Sequence, residues 1–548
     1  MSTTSEAHRA SSAQVGRVDG RPPIFSIVTP VFNPPEDALR ECIQSVLDQT
    51  FSGWEWCIAD DGSTAPHVSR LLDQAARDPR VRVTRLAGNG GIVAASNAAA
   101  SMATGEFVVL LDHDDLLSPD ALATVAEHLS DDVDYLYSDE DKVDGTGRHF
   151  DVFRKPSWSP ERFLGQNYTC HLSVIRRSVF DSVGRFRPGF DGSQDYDLFL
   201  RVVEQARSIV HIPQVLYHWR IVPGSAAGTL EAKPYAFDAA ERALSEHLER
   251  VGVAGRVERG RQPGVYRVRR DRRNEPLVSI VIPTNGSTRV VWGVATALVT
   301  NAVRSVVERS SYRRFELVVV YDTSTPATVL EDLARIAGDA LVLVEYSGPF
   351  NFADKTNQGV LRSHGDVVLM LNDDTQVISP DWIEVLLEQL EQDDVGMVGP
   401  MLRLADGRIQ SAGHHNLGVG PRNLACGGRA DDGGPFGMFM IAGERTGVTA
   451  ACAALRREVY DQVGGLSNSF PRSFNDVDLG FKLLLAGYRI IWTPFAELYH
   501  FESLTRNPTV DSAEVNALYA RWSWMLKSDA YVREADAWWS WDEPRPAS

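Results

Sequence analysis

Short apolar runs alternate with amphipathic segments along the chain, and this alternation predicts strands and helices in turn. In the first half the pattern predicts strands over 26–31, 54–59, 81–86 and 107–111 and helices over 36–49, 68–76 and 94–103. Ser118 and Pro119 then predict an N-cap and first turn for the next helix. Strands that alternate with helices are typical of a mostly parallel sheet covered on both faces, so we predict an α/β fold.

The same pattern occurs a second time. FSIVTPVFN (25–33) returns as VSIVIPTNG (278–286), and SNAAASMATGEFVVLLDHDD (96–115) returns as TNQGVLRSHGDVVLMLNDDT (356–375). Because the repeated segments keep their order, they predict two homologous domains. The resulting parts are a disordered tail, a first domain, a basic linker, a second domain and a tryptophan-rich helical extension, over 1–22, 23–254, 255–276, 277–506 and 507–548.

Composition narrows the class of protein. The net charge of −18 argues against nucleic acid as a partner, because phosphate contacts need a surplus of Lys and Arg. The tail lacks the apolar region of a signal peptide, and no uncharged apolar run of about 18 residues predicts a membrane-spanning helix. The five cysteines include no C-x-x-C pair, which predicts reduced thiols in the cytoplasm and no zinc site.

Acidic side chains follow the predicted buried strands of the first half. Asp60 and Asp61 follow one strand, and Asp112 and Asp114 form a D-x-D sequence after another. Ligands of such sheets bind at the carboxyl ends of the strands. One or two carboxylates there can hold Mg²⁺ or Mn²⁺ on a diphosphate, because phosphate oxygens and water complete the coordination. Asp60 or Asp61 can accept the N3–H of uracil or of thymine, which share that edge.

Two further features occur in both halves. The sequence SQDYD places Asp195 at the start of an amphipathic helix, where a carboxylate can take a proton from an acceptor hydroxyl. The sequence YHWR places His218 further along, and a neutral imidazole is a common metal ligand. Asp476 and His500 repeat the pair at nearly the same spacing.

Two other segments are less specific. YSDEDKVD, 137–144, predicts a solvated acidic loop, and a border of the acceptor site is the alternative. The glycine-rich segment 404–440 interrupts the second half and predicts a mobile loop near the acceptor, with a disordered surface excursion as the alternative. We assign no role to His414 and His415 within it.

Taken in order, these motifs resemble two tandem family 2 glycosyltransferase domains of the GT-A fold. The first half carries PVFN, DDGST, DHDD, QD and YHWR, and the second carries IPTN, YDTST, NDD, FNDVD and WTPFAELYHFES. A nucleotidyltransferase would instead show a glycine-rich phosphate loop after its first strand, where this chain reads TPVFNPPED. A haloacid-dehalogenase-like phosphatase would carry its D-x-D after the first strand.

The resemblance implies an inverting transfer of a sugar from a UDP- or dTDP-linked donor to a glycan or lipid-linked acceptor, with Mn²⁺ or Mg²⁺ as cofactor. Similar tandem proteins assemble bacterial surface polysaccharides such as O-antigens and rhamnose-rich glycans. The catalytic bases it implies are Asp195 and Asp476. The metal ligands it implies are Asp112, Asp114, His218, Asp374 and His500. The donor-binding residues it implies are Asp60, Asp61, Asn97, Asp112, Asp322, Asn357 and Asn372.

The second half departs from the first. Its D-x-D reads Asn372, Asp373, Asp374, with one charge fewer, and Asp322 aligns with either Asp60 or Asp61. We therefore keep two hypotheses: both domains are transferases, or one is a non-catalytic domain that binds the acceptor or serves as a scaffold.

The C-terminal extension carries five tryptophans. We predict that they pack onto the second domain. The alternative is peripheral contact with the inner face of the plasma membrane, where a lipid-linked acceptor would lie. The acidic net charge gives that alternative no electrostatic support.

Overall fold

The computed structural model describes residues 22–221, 234–417, 420–501 and 510–533, so most of the predicted N-terminal tail lies outside them. In the first domain the elements are β1 (Phe25–Val31), α1 (Glu36–Leu47), β2 (Trp54–Asp60), α2 (Pro66–Ala75), β3 (Val81–Arg85), α3 (Ile92–Ala100), β4 (Phe107–Leu110), β5 (Leu116–Leu117), α4 (Ala121–Glu127), β6 (Val133–Val143), β7 (His149–Phe153), α5 (Pro160–Gly165), β8 (Ser173–Arg176), α6 (Arg177–Ser182), α7 (Gln194–Val203), β9 (Ser208–Arg220) and α8 (Pro234–Arg250). The strands and helices predicted from the apolar pattern are confirmed. The helix predicted from Ser118 and Pro119 instead begins at Ala121.

A hairpin of β10 (Gly255–Arg259) and β11 (Tyr266–Arg270) leads to the second domain. Its elements are β12 (Val278–Thr284), β13 (Thr288–Val291), β14 (Val294–Ala297), α9 (Leu298–Arg309), β15 (Phe315–Asp322), α10 (Ala327–Ala337), β16 (Leu341–Tyr346), α11 (Phe352–Leu361), β17 (Val367–Leu371), β18 (Thr375–Val377), α12 (Trp382–Leu390), β19 (Val395–Arg403), β20 (Ile409–Ser411), β21 (His414–His415), β22 (Arg422–Asn423), β23 (Gly443–Glu444), β24 (Cys452–Arg456), α13 (Arg457–Gln462), α14 (Asn475–Leu485) and β25 (Arg489–His500). The helix α15 (Ser512–Trp522) follows in the extension.

The two sheets have the same strand order. It is β3-β2-β1-β4-β8-β6-β9-β5 in the first domain and β16-β15-β12-β17-β24-β19-β25-β18 in the second. The first four strands of each order pair in parallel, and β8 and β24 pair antiparallel with their neighbours. The fold is therefore α/β with two largely parallel sheets, as predicted.

Each sheet buries apolar side chains on both faces. Phe25 and Ile27 of β1 point into one core cluster and Val28 into the other. Ile280 and Val281 of β12 divide in the same way between two clusters of the second domain. Successive side chains of a strand point to opposite faces, so a continuous apolar run needs helices on both sides.

The prediction of a solvated loop at 137–144 is wrong. Most of this segment belongs to β6, and its acids are buried with specific partners. Asp139 accepts hydrogen bonds from His211 Nε2 at 2.7 Å and from the Lys155 backbone N at 2.9 Å. Glu140 pairs with Lys155 Nζ at 2.9 Å. Buried carboxylates are tolerated when they are paired in this way.

Buried charges join the two domains. Arg270 of the hairpin pairs with Glu161 of the first domain at 2.7 Å. Glu444 of the second domain is fully buried, accepts a hydrogen bond from the Glu161 backbone N at 3.1 Å and pairs with Arg489 at 2.6 Å. Ser159 Oγ donates a further hydrogen bond to Glu444. The predicted linker is thus a structured part of the domain interface.

The extension packs against the second domain. Trp522 is buried, and its Nε1 donates to Asp478 Oδ1 at 2.8 Å. Trp524 is 54% exposed, and the tryptophans at 538, 539 and 541 lie outside the described residues. Among the helices that the structure describes, none combines the length and apolar character that a membrane crossing requires.

Candidate functional site

A pocket of about 320 Å³ opens in the second domain, where β12 and β17 end. Asn372, Asp374, Asp476 and His500, which the sequence predicts as site residues, all line it. The carboxyl ends of parallel strands are the usual place for a ligand in such a sheet. The fold therefore brings together residues that are more than 120 positions apart, Asn372 and His500 among them.

The three side chains of the NDD turn have different contacts. Asp373 points back towards β12 and accepts a hydrogen bond from Thr284 Oγ1 at 2.6 Å. Burial, reinforced by the charge of Asp374, raises the pKa of Asp373 to about 7. The His500 Nε2 atom lies 3.3 Å from Asp374 Oδ1 and 3.3 Å from Asn372 Nδ2. Asp374, and not Asp373, is thus the carboxylate of this turn that lies closest to His500.

These residues fit a divalent cation. Asn372 Oδ1 is buried and has no hydrogen-bond partner among the described residues. An amide oxygen, a carboxylate and an imidazole that converge on one pocket are the donor set that Mn²⁺ accepts, and Mg²⁺ accepts the oxygens.

Asp476 lies in the first turn of α14 and accepts a hydrogen bond from the Ala450 backbone N at 3.2 Å. His414 Nε2 lies 3.9 Å from Asp476 Oδ2. Burial lowers the pKa of His414, and Asp476 opposes that shift only in part, so the imidazole is neutral. His414 comes from the inserted segment 404–440, which folds into β20, β21 and β22 and lines the pocket. The sequence analysis predicted that this segment is a mobile loop near the acceptor, but it assigned no role to His414, which the structure places beside Asp476.

Lys355 is a second residue that sequence reasoning missed. Its side chain is buried, lines the pocket, and donates from Nζ to Asp322 Oδ1 at 2.8 Å and to the Thr284 carbonyl at 2.7 Å. The predicted donor-binding carboxylate Asp322 therefore has a cation beside it.

The first domain gathers three carboxylates at the end of β4. Asp112 and Asp114 are half-buried, while Asp115 is buried and accepts hydrogen bonds from Tyr217 OH at 2.5 Å and from the Arg220 backbone N at 2.7 Å. Burial and the charges of Asp114 and Asp112 raise the pKa of Asp115 well above its usual range. Burial likewise raises the pKa of Asp114. A bound divalent cation would relieve this repulsion, so these residues also fit a metal.

His171 sits among these acids. Its ring stacks on Tyr217 with centroids 4.7 Å apart, and its Nδ1 lies 3.4 Å from Glu140 Oε2. Burial alone would lower the pKa of His171, but Glu140, Asp115 and Asp112 together raise it to about 9. No motif in the sequence indicated this residue. The strand pairings put Ala451 at the corresponding position of the second domain.

Asp195, the predicted base of the first domain, lies in the first turn of α7. It accepts a hydrogen bond from Asn167 Nδ2 at 3.0 Å. Burial raises the pKa of Asp195, and the nearby His171 opposes that shift.

The structure corrects the predicted role of His218. In the β5–β9 ladder His218 pairs with Leu116, whereas in the β18–β25 ladder His500 pairs with Thr375. The residue that corresponds to His500 is therefore Trp219, and His218 points to the opposite face of its strand. There His218 Nδ1 lies 2.6 Å from Asp141 Oδ1. His218 is thus not placed to share a cation with the D-x-D turn.

The structure also corrects the roles of Asn97 and Asn357. Asn97 exchanges hydrogen bonds with the backbone N and carbonyl of Phe186, at 3.2 and 2.9 Å. Asn357 does the same with Leu466, at 3.1 and 2.8 Å. Both amides hold a loop of the fold, which gives them a structural role that requires no nucleotide sugar.

The two acids of the DDGST sequence are anchored to different loops. Asp60 accepts a hydrogen bond from the Ser63 backbone N at 2.9 Å. Asp61 uses both oxygens to accept from the backbone N atoms of Gly90 and Gly91, at 2.8 and 2.9 Å. Both oxygens of Asp61 are thus held by one loop, whereas a single backbone hydrogen bond orients Asp60.

Comparison with known proteins assigns a family to both domains. Residues 26–184 match Glycosyl transferase family 2, and residues 276–524 match Glycosyltransferase like family 2. A solved structure of S. aureus TarS in complex with UDP-GlcNAc has 20% sequence identity and a TM-score of 0.35, covering 41% of this chain and 66% of that chain.

Two relatives align with almost the whole chain. It is 41% identical over 512 residues to Uncharacterized protein y4gI of Sinorhizobium fredii, covering 91% of this chain and 55% of that protein. It is 35% identical over 551 residues to the O-antigen biosynthesis protein RfbC of Myxococcus xanthus, covering 99% and 40%. The chain spans about half the length of these relatives. Because the two family matches fall on the two copies of one fold, the chain belongs to glycosyltransferase family 2 and carries two domains of that family in tandem.

Proposed function

We propose that this chain transfers a sugar from a UDP- or dTDP-linked donor to a hydroxyl of a glycan or lipid-linked acceptor, in the assembly of a bacterial surface polysaccharide. The observation that carries the proposal is the second-domain pocket, which gathers Asp374, His500 and Asp476. The relative RfbC, named for O-antigen biosynthesis, supports the polysaccharide pathway. The resemblance to the family implies inversion, for which one base and one direct displacement at the anomeric carbon are sufficient.

The proton of the acceptor hydroxyl passes to an aspartate in each domain. Asp476 serves in the second domain, where neutral His414 borders its carboxylate. Asp195 serves in the first, where burial raises its pKa and makes it a stronger base. Asn167 holds Asp195, and the Ala450 amide holds Asp476, so each carboxylate keeps a fixed orientation towards the acceptor.

A Mn²⁺ or Mg²⁺ ion would be held by Asp112 and Asp114 in the first domain and by Asp374, His500 and the Asn372 oxygen in the second. When bound, the ion offsets the negative charge that develops on the departing nucleoside diphosphate. Lys355 adds a buried positive charge to the pocket wall, where it fixes Asp322.

The alternative is that only one domain is catalytic and the other binds the acceptor or serves as a scaffold. The observation that favours it is the difference between the two cation sites. The second domain offers an imidazole to the cation, whereas the first has Trp219 at the corresponding register position. The two domains therefore differ in the ligands they offer to one cofactor.

Calorimetric titration of the full chain with UDP, and then with dTDP, tests the proposal in Mn²⁺ and in chelator. Two metal-dependent sites per chain are expected, one lost in Asp374→Asn and the other in the Asp112→Asn/Asp114→Asn variant. Asp393→Asn is the matched control, because the Asp393 side chain is 96% exposed and belongs to neither proposed cation site. A single site in the unmodified chain would support the one-domain alternative. No metal-dependent binding of either nucleotide would contradict the proposal.

We propose that the chain acts in the cytoplasm, in peripheral contact with the inner face of the plasma membrane, where a lipid-linked acceptor would lie. The exposed ring of Trp524 supports such contact. Co-sedimentation with phosphatidylglycerol vesicles tests it: Trp524→Ala is expected to reduce the bound fraction, and equal binding of the two chains would contradict a role for this ring.

A further inference from the structure

Three metal-ligating side chains meet on neighbouring strands of the first domain. Asp141 of β6 pairs in register with His218 of β9, and His149 begins β7 on the other side of β6. One ligand atom from each residue lies within 4.8 Å of the other two. Within 22–221, 234–417, 420–501 and 510–533, no other three His, Cys, Asp or Glu residues are grouped this closely.

The ligand atoms of the cluster lie slightly closer together than two ligands of one ion do. His218 Nδ1 lies 2.6 Å from Asp141 Oδ1, and His149 Nδ1 lies 3.1 Å from Asp141 Oδ2. Nitrogen and oxygen ligands bind zinc at about 2.0–2.2 Å, which puts two ligands of a tetrahedral ion roughly 3.3 Å apart. Small side-chain adjustments therefore suffice to place an ion between the three residues.

The hydrogen bonds of Ser118 orient the His218 ring for a metal. Ser118 Oγ lies 3.0 Å from the Val215 carbonyl, to which it donates, and 3.0 Å from His218 Nε2. Both contacts are hydrogen bonds together only when Nε2–H donates to the hydroxyl oxygen. The Nδ1 atom of a neutral ring then directs its lone pair at Asp141. Two acceptor atoms this close need a proton or a cation between them, and an outer N–H donated to an oxygen is typical of a metal-bound histidine.

The cluster is separate from the sugar-nucleotide site and open to solvent. Tyr217, the neighbour of His218, points to the other face of β9, where it meets Asp115. The His149 side chain is 46% exposed, which gives an ion a path to Asp141. Two imidazoles and one carboxylate favour Zn²⁺ over Mg²⁺, which prefers oxygen ligands.

We propose that Asp141, His149 and His218 form a zinc site on the first domain, distinct from the cations of the transfer reaction. The ion would bind β7 to β6 and β9. β7 ends at Phe153, whose ring stacks on Phe436 of the inserted segment with centroids 4.0 Å apart. Zinc would therefore stabilise the strand that meets the second domain.

Titration of the metal-free full chain with Zn²⁺, in millimolar Mg²⁺ to occupy the oxygen-ligand sites, tests the proposal. One tight Zn²⁺ per chain is expected in His500→Gln, the variant without the second-domain imidazole. Adding His149→Ala should weaken its binding by about 100-fold or more, since loss of an outer partner alone costs roughly 10–100-fold. His149 is half-exposed, so the variant should fold. His364→Ala is the matched control, because His364 also contacts a carboxylate, Glu316 at 3.2 Å, but has no second histidine.

Two further measurements separate this site from the others. Ser118→Ala should weaken Zn²⁺ binding by about tenfold through the freed ring, whereas Asp112→Asn/Asp114→Asn should leave it unchanged. Zn²⁺ should also raise the Tm of the unmodified chain and not that of His149→Ala. Equal zinc affinity in the unmodified chain and in His149→Ala, or no tight zinc at all, would overturn the proposal and leave a proton between His218 and Asp141.

Discussion

The two domains share one strand order but differ in the residues that face the proposed cation. In the first, three acids, Asp112, Asp114 and Asp115, crowd together with the raised-pKa imidazole of His171. In the second, Asp374 meets His500 beside an amide, and Ala451 takes the place of His171. The two sheets thus keep the same strand order, while the charged residues at the ends of their strands differ. The fold tolerates this because the site lies where strands end and packing constraints are weaker.

The largest expected effect separates the two domains by their bases. Asp195→Asn and Asp476→Asn should each reduce one transfer activity by about 10²–10⁴-fold, because an amide cannot take the proton of the acceptor. Donor binding, measured by titration with UDP and Mn²⁺, should be retained in both. Release of UDP from a UDP-sugar in each variant is the measurement. Full transfer by either variant would remove that aspartate from the role of base.

The next effect tests the register difference at the histidines. His500→Gln should weaken Mn²⁺-dependent UDP binding to the second domain by roughly 10–100-fold, since it removes a ligand beside Asp374. His218→Gln should leave UDP binding to the first domain unchanged, because His218 faces Asp141. Calorimetry on the two variants compares them directly. A loss of UDP affinity in His218→Gln would support the sequence-based prediction that His218 is the equivalent of His500.

A smaller effect concerns pH and His171. Its folded-state pKa of about 9 lies above the ordinary value of 6.5. The stability that protonated His171 contributes is therefore fully present below pH 6.5 and is lost as the pH rises through 9. The Tm of the metal-free full chain should fall over this window in scanning calorimetry, and His171→Gln should flatten the fall. An unchanged pH dependence in His171→Gln would contradict the assigned shift.

The smallest effect is expected to be alike in both domains. Asn97→Ala and Asn357→Ala should each lower the free energy of unfolding by about 1–2 kcal/mol, because each leaves a backbone amide and carbonyl without a partner. UDP affinity should stay within about twofold of the unmodified chain. Urea unfolding and calorimetry measure the two quantities. Weakened UDP binding at unchanged stability would support the predicted role of Asn97 and Asn357 in donor binding.

Much of the fold followed from local patterns. The apolar runs predicted the parallel strands, and the repeated segments predicted two like domains. The acids at strand ends were also placed correctly, because parallel strands deliver their carboxyl ends to one edge. These features depend on a few adjacent residues each, which a sequence displays directly.

The errors arose where partners are distant in the chain. The acids at 139–141 looked solvated because two residues that pair with them, Lys155 after β7 and His211 on β9, lie elsewhere in the chain. The motif spacing equated His218 with His500, yet a shift of one residue in strand pairing reverses the face on which a side chain lies. The only trace of this shift in the sequence is that His218 lies 23 residues after Asp195 whereas His500 lies 24 after Asp476.

The helix α15 has a consequence for where the repeated unit ends. Glu514 accepts hydrogen bonds from the backbone N atoms of Arg472 and Ser473, just ahead of the helix that bears Asp476. In the first domain α8 meets the corresponding helix, where Ser193 Oγ donates to the Ala236 carbonyl at 2.8 Å. The helix α15 therefore contacts its domain just ahead of the proposed base, as α8 does in the first domain. A chain shortened before α15 would lose the hydrogen bonds that hold the segment ahead of Asp476.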